Sequence, residues 1–253
     1  MTQELLHFVD RALVISHVVF GFTALVVGPI AMFTAKGGTN HRRAGKVYFW
    51  GMAGIFASTL ALAFFRFNAF LFIINIMSFY ACFTGYRVLY RKNPDNAKSA
   101  EQKPKWMDWL ASGLAAVAGG AFVLWGIGGL MELQIKFLYP FNYPIAFFII
   151  GLVAGAFIAN SGATDLIGYS RQQTSKRWWW YEHMNRFLSG YIATVTAFLV
   201  QNVASRMPFE FSWIVWVAPS VIGTIAIAKW IKHYKAKFGD AQKQAVIQTN
   251  PQS

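Results

Sequence analysis

The chain has 253 residues, of which 56% are hydrophobic, 17% aromatic and only 13% charged. A soluble domain carries about 25% charged residues, so the composition excludes an ordinary water-soluble fold and predicts a polytopic membrane protein. The net charge of +13 would suggest a nucleic-acid binder, but the cations are segregated to short connections between apolar runs, which excludes that reading.

In chain order, residues 1–10 carry Glu4 and Asp10 and no basic stretch of the kind that opens a secretory signal, so the first apolar run is expected to remain in the mature chain. Apolar runs long enough to cross a bilayer fall near Leu13–Ala35, Val47–Phe65, Ala69–Tyr90 and Trp109–Leu130. Three more fall near Tyr143–Thr164, Phe187–Ala204 and Phe211–Ile231. The expected fold is all-α: one transmembrane domain of about seven helices over residues 1–231, then a polar tail over 232–253. A polar linker is expected at Ala97–Lys105, and the segment from Lys235 onward is expected to be disordered or to lie on the membrane surface. The sole cysteine, Cys82, lies within the third run, so no intrachain disulfide and no cysteine-rich metal site can form.

Orientation follows from the cations. Of the 23 lysines and arginines, all but Arg11, Arg66, Lys136 and Arg206 fall after spans one, three, five and seven or at their inner ends. The positive-inside rule therefore puts the N-terminus outside and the C-terminus in the cytoplasm, with anionic lipid headgroups as the partner of the basic face. Trp106, Trp109, Trp178, Trp179, Trp180 and Trp230 fall at the inner interface, the depth that amphipathic rings prefer. Gly151 with Gly155, Ala115 with Gly119 and Ala116 with Gly120 have the small-residue spacing that lets helices approach closely, within one chain or between copies.

The first connection reads "GGTNHRRAGKV", Gly37 to Val47, and holds His41, Arg42 and Arg43. A phosphate loop fails here: counted from Gly38, the second required glycine falls on Arg43, and Lys46 is followed by Val47. A zinc hydrolase would need three convergent ligands, and no HxxxH pair occurs; His41 and His183 with Glu182 or Asp165 are the nearest approximation. A b-type haem needs two histidines at one depth on neighbouring helices, and His41 with His183, both at the inner edge, is the one pair that qualifies. His17 has no histidine at its own depth on another span.

Strongly polar groups inside spans mark functional sites by default, because burying them is costly unless they are paired or wetted. His17, Asn75, Asn160, Asp165, Gln201 and Asn202 form this set, and His17, Asn75, Asn160 and Asp165 are the candidates for a binding or proton path. The entry to span six, "RWWWYEHMNRF", places Glu182, His183 and Arg186 on one helical face. The three can form an ion-paired cluster among themselves, and with His41, Arg42 and Arg43 they make a candidate cytoplasmic cluster, in which Glu182 would pair with Arg42 or Arg43 if that loop sits beside it.

His17 and Gly21 in span one, His41, Arg42, Arg43 and Gly45 before span two, and Gly85, Tyr86 and Arg87 ending span three resemble a pattern in an uncharacterised family of bacterial polytopic membrane proteins. His183 and Met184 supply a second histidine-containing entry. The resemblance covers about a third of the chain and implies a bacterial inner-membrane location, without an activity. Some members carry a further histidine in the outer part of the third span, where this chain reads "FLFIINIMSF".

Three readings compete: binding or translocation of a small solute or proton, a haem-b redox protein using His41 and His183, and a non-catalytic membrane subunit or homo-oligomeric scaffold. No cofactor follows from the sequence by itself, with haem b as the alternative.

Overall fold

The computed structural model describes residues 2–92, 102–131, 145–171 and 177–249. Among them the chain is all-helical, with seven α-helices: α1 (Thr2–Phe33), α2 (Thr39–Leu62), α3 (Ala69–Arg87), α4 (Trp106–Leu130), α5 (Ile145–Tyr169), α6 (Trp178–Asn202) and α7 (Phe209–Thr249). Each coincides with one expected span. Five of them, α1, α3, α4, α5 and α7, are long and apolar enough to cross a membrane. The other two, α2 and α6, have 24 and 25 residues, sufficient at 1.5 Å rise per residue, but polar first turns lower their hydropathy.

Several ends move. Helix α6 starts at Trp178 and α1 at Thr2, about nine or more residues ahead of the apolar runs, because intrahelical hydrogen bonding does not stop where the side chains turn polar. The same holds for the polar tail: α7 continues to Thr249, where alanine, lysine and glutamine favour helix, so disorder from Lys235 is not what the structure has. The linker at Ala97–Lys105 lies, up to residue 101, outside the described residues, as do Lys98, Lys136 and Lys176.

Helices α1 and α2 form one tight hairpin and α4 and α5 another, while α3 touches α2, α4, α5 and α6 and is the central helix. The α4–α5 seam depends on small residues: a Cβ on Gly119 would stand 2.6 Å from the Gly155 carbonyl oxygen, far inside van der Waals contact. Side chains at the seams are largely aliphatic and aromatic, with Phe70, Ile74, Ala193 and Val200 joining α3 to α6, and Tyr48, Met52 and Cys82 joining α2 to α3.

Pro29 shapes the C-terminal end of α1. It has no N–H for the Leu25 carbonyl four residues back, and the Tyr191 hydroxyl of α6 donates to that carbonyl instead at 3.1 Å. Gly28 leaves the necessary room, since a Cβ there would lie 2.6 Å from the Tyr191 ring. Beyond α1 the chain reverses through Gly37 at φ +76°, a left-handed conformation that glycine adopts without steric cost.

Candidate functional site

Two polar assemblies lie side by side at the end of the bundle where α1 ends and α6 begins. The first is an ion-paired network. Arg186 binds both oxygens of Asp165, Nη1 to Oδ2 at 2.7 Å and Nη2 to Oδ1 at 2.5 Å, and its Nε donates to Glu182 Oε2 at 2.8 Å. Nη1 also donates to the Thr84 hydroxyl at 2.7 Å. Asp165 accepts in addition from the Tyr80 hydroxyl at 2.5 Å, and Tyr80 reaches Ser112, which bonds Tyr169. A second fork joins Arg87 to Asp108, Nε and Nη2 each at 2.8 Å, and Asp108 also accepts from the Lys105 amide.

The network reads as a lock. Tyr80, Thr84 and Arg87 recur at helical spacing along α3, and Asp108 with Ser112, Asp165 with Tyr169 and Glu182 with Arg186 do the same on α4, α5 and α6. Four helices thus turn one polar stripe each toward a common point, where Arg87, Asp108, Asp165, Glu182 and Arg186 each have a counter-charge and the buried Arg91 lies over the Tyr169 ring. A buried pair removed from water needs such satisfaction, and it fixes helix register.

The second assembly is a cavity of about 500 Å³ between the C-terminal ends of α1 and α3, the N-terminal ends of α2 and α6 and the middle of α7. Among the described residues its lining includes Lys36, Arg42, Lys46 and Lys92 and no carboxylate. Aromatic rings form much of its wall: Tyr48, Tyr86, Trp179, Trp180, Phe187 and Trp230. His41 and His183 face each other there, with ring centroids 6.3 Å apart and ring planes at 82°.

Both histidines are oriented by helix-end carbonyls. His41 Nδ1 lies 2.8 Å from the Ala31 carbonyl oxygen and His183 Nδ1 lies 2.9 Å from that of Gly85. These are among the carbonyls that the ends of α1 and α3 leave unpaired. A carbonyl only accepts, so each Nδ1 carries the hydrogen and each Nε2 keeps its lone pair in the neutral ring. Burial pushes the His183 imidazole down to about 4, and the backbone bond to Gly85 opposes this only in part, so the ring is neutral at pH 7. Lys36 Nζ caps the same α1 end, donating to the Met32 carbonyl and, at 3.4 Å, to that of Ala31.

Close approach of α3 and α6 depends on Gly85, where a Cβ would stand 2.8 Å from the Phe187 ring and 2.9 Å from Arg186 Cβ. One contact therefore serves both assemblies.

The expected cytoplasmic cluster is brought together in part. His41, Arg42 and His183 line the cavity, and Glu182 pairs with Arg186 as its spacing implies. Glu182 does not pair with Arg42 or Arg43. Both arginines are exposed, and Arg186, one helical turn away, is the nearer partner. The zinc reading also fails: Asp165 and Glu182 are taken up by Arg186, and among the described residues no group of three or more His, Cys, Asp or Glu could hold a metal ion.

The expected polar path divides. His17 Nδ1 meets the Ser58 and Thr59 hydroxyls at 3.1 and 3.3 Å, and Asn75 donates to the Phe56 carbonyl at 3.4 Å, so both bond to α2. Asn160 is exposed on the outer face of α5, and Gln201 and Asn202 are exposed as well. Among the described residues no hydrogen bond joins the His17 and Asn75 set to Asp165, which belongs to the lock.

Sequence reasoning missed Tyr80, Thr84, Ser112, Tyr169 and the Arg87–Asp108 fork. Their signal was present as i, i+4 polar pairs at the same end of consecutive helices. Compared with protein-family models, curated proteins and solved structures, the chain matches none of them.

Proposed function

We propose that this chain is a seven-span membrane protein of the bacterial inner membrane, N-terminus outside and C-terminus in the cytoplasm, that binds an anionic amphiphilic small molecule at its inner face. The observation that carries this reading is the cavity, whose volume of about 500 Å³ is of ligand size and whose lining, among the described residues, combines four cations, no carboxylate and an aromatic wall. An apolar body would contact the rings while its anionic groups meet Lys36, Arg42, Lys46 and Lys92. Seven spans and the orientation are supported by seven helices coinciding with the apolar runs and by the bias of the cations to one side. The inner-membrane location rests on the family resemblance.

Binding is favoured over translocation by the division of the polar path, because a solute or proton crossing the bilayer needs polar groups in sequence at successive depths. The test is binding of a fluorescent carboxylate-headed fatty acid to the protein in nanodiscs of uncharged lipid, followed by anisotropy. Replacing both Arg42 and Lys46 by alanine should weaken binding about tenfold per cation, the effect of roughly 1.4 kcal/mol each, and the methyl ester should be insensitive to the change. Equal affinity for acid and ester, unchanged in the variant, defeats the reading.

A further inference from the structure

Within that binding reading, we propose that the ligand is a metal tetrapyrrole with carboxylate side chains, a b-type haem, held through Nε2 of His41 and Nε2 of His183. The inference rests on the cavity being a binding site and adds its chemistry.

Three features converge on it. The first is distance: two imidazoles that bind one metal through nitrogen at ~2.0 Å have ring centres ~6 Å apart, and these two stand at 6.3 Å. The second is tautomer. Both Nδ1–H groups are spent on backbone carbonyls, the second-sphere arrangement that fixes a metal-binding histidine and leaves Nε2 as the donor atom. The third is the count of donors. A metal held by protein alone needs further ligands, and among the described residues none joins the pair. A tetrapyrrole brings its own four nitrogens and asks the protein for axial ligands only. Its flat apolar faces suit the aromatic wall, and its carboxylates suit a lining that has cations and no acid.

The two histidines come from different parts of the bundle, His41 from the start of α2 and His183 from the first turns of α6. Ligation would therefore fasten the α1–α2 hairpin to α6. When bound, such a group supplies reversible one-electron chemistry at the inner face of the membrane. What the chain's own residues do is hold two imidazoles at a fixed separation, and present Arg42, Lys46 and Lys92 to anionic groups.

The test uses the full-length protein in detergent, titrated in parallel with ferric protoporphyrin IX and with metal-free protoporphyrin IX. Six-coordinate low-spin absorbance is expected for the ferric form, with a sharp α band after dithionite. Ring planes at 82° leave the two iron π orbitals nearly equal in energy, so the ferric electron paramagnetic resonance signal is expected to be of the strongly anisotropic low-spin type. His41→Ala and His183→Ala should each remove the low-spin signature and weaken the ferric form at least tenfold, leave the metal-free porphyrin within about threefold of the unaltered protein, and regain the low-spin spectrum when free imidazole is added. The wild-type spectra carry the test by themselves if either variant fails to fold. A high-spin or five-coordinate wild-type spectrum, or a low-spin spectrum that survives both substitutions, overturns the ligation. If metal-free and ferric porphyrin bind alike without a low-spin signal, the ligation fails and the amphiphile reading stands. If neither binds and the fatty acid does not either, both are overturned.

Discussion

Asp108→Ala isolates the energetic role of the lock away from the cavity. Asp108 is 1% exposed and accepts from two nitrogens of Arg87 and from the Lys105 amide. Its removal leaves the Arg87 guanidinium, only 12% exposed, without its counter-charge. Breaking a buried pair from one side costs about 3–5 kcal/mol, since the remaining charge must be desolvated without compensation. Loss of the acceptor for the first turn of α4 adds up to ~1 kcal/mol. Replacing both partners, Arg87→Leu with Asp108→Leu, removes the desolvation cost with the attraction and should return to within about 2 kcal/mol of the unaltered protein. The assay is unfolding by SDS in mixed micelles followed by tryptophan fluorescence, completed as a double-mutant cycle. A single-variant loss below ~1 kcal/mol, or a double variant as unstable as the sum of the singles, would refute the claim that the fork is a satisfied buried pair.

Neighbouring glycines on α4 give a paired test: a Cβ on Gly119 meets the Gly155 carbonyl oxygen at 2.6 Å, whereas one on Gly120 meets nothing within 4 Å. Gly119→Ala should therefore lose about 1–3 kcal/mol by overpacking, and Gly120→Ala should be neutral or gain up to ~1 kcal/mol from helix propensity, with equal effects counting against the seam. For the apo-protein, His183 is neutral when folded and ordinary when unfolded, so the unfolded state takes up a proton first as pH falls from about 6.5 toward 4, and stability should drop across that window by on the order of 3 kcal/mol. Lys36, Lys92 and His41 act in the same direction, and the decrease should be clearly smaller in His183→Leu; a decrease unchanged by that substitution contradicts the assignment. Orientation is read by labelling with a membrane-impermeant maleimide. Gln3→Cys should react in intact cells and Lys232→Cys only after permeabilisation, while native Cys82, fully buried, stays silent; the reverse pattern inverts the topology.

The helices were legible because a membrane imposes a strong length and polarity rule, and each apolar run did become one helix. Helix ends were less legible. Thr2, Trp178 and the stretch up to Thr249 show that helical hydrogen bonding continues into polar sequence, which a hydropathy reading truncates. His41 and His183 could be matched by depth alone, since both lie near the N-terminal ends of their helices at one end of the bundle. Their orientation could not, because it depends on the Ala31 and Gly85 carbonyls, which every sequence supplies alike. The partner of Glu182 was legible in part for a related reason: the four-residue spacing offered Arg186, the pair that forms, while Arg42 and Arg43 lie at the same depth, and only the helical face decides among them.

The two assemblies depend on each other through α6. His183 and Arg186 are one turn apart on that helix, and α3 receives both, His183 at the Gly85 carbonyl and Arg186 at the Thr84 hydroxyl. Adjacent α3 residues therefore anchor a cavity ligand on one side and the ionic lock on the other, and Gly85 sets how closely the helices approach. From the opposite wall, Tyr191 ties α6 to the carbonyl that Pro29 leaves free in α1, the helix whose last carbonyls hold His41 and Lys36. The separation of the two imidazoles is thus fixed by backbone atoms of α1 and α3, with Asp165 and Arg186 preventing α6 from rotating. On the proposed topology the cations of "NHRRAGK" serve to orient the chain in the membrane. Its histidine, bonded to α1 and lining the cavity beside His183, is what the charge bias leaves unexplained and the proposed site accounts for.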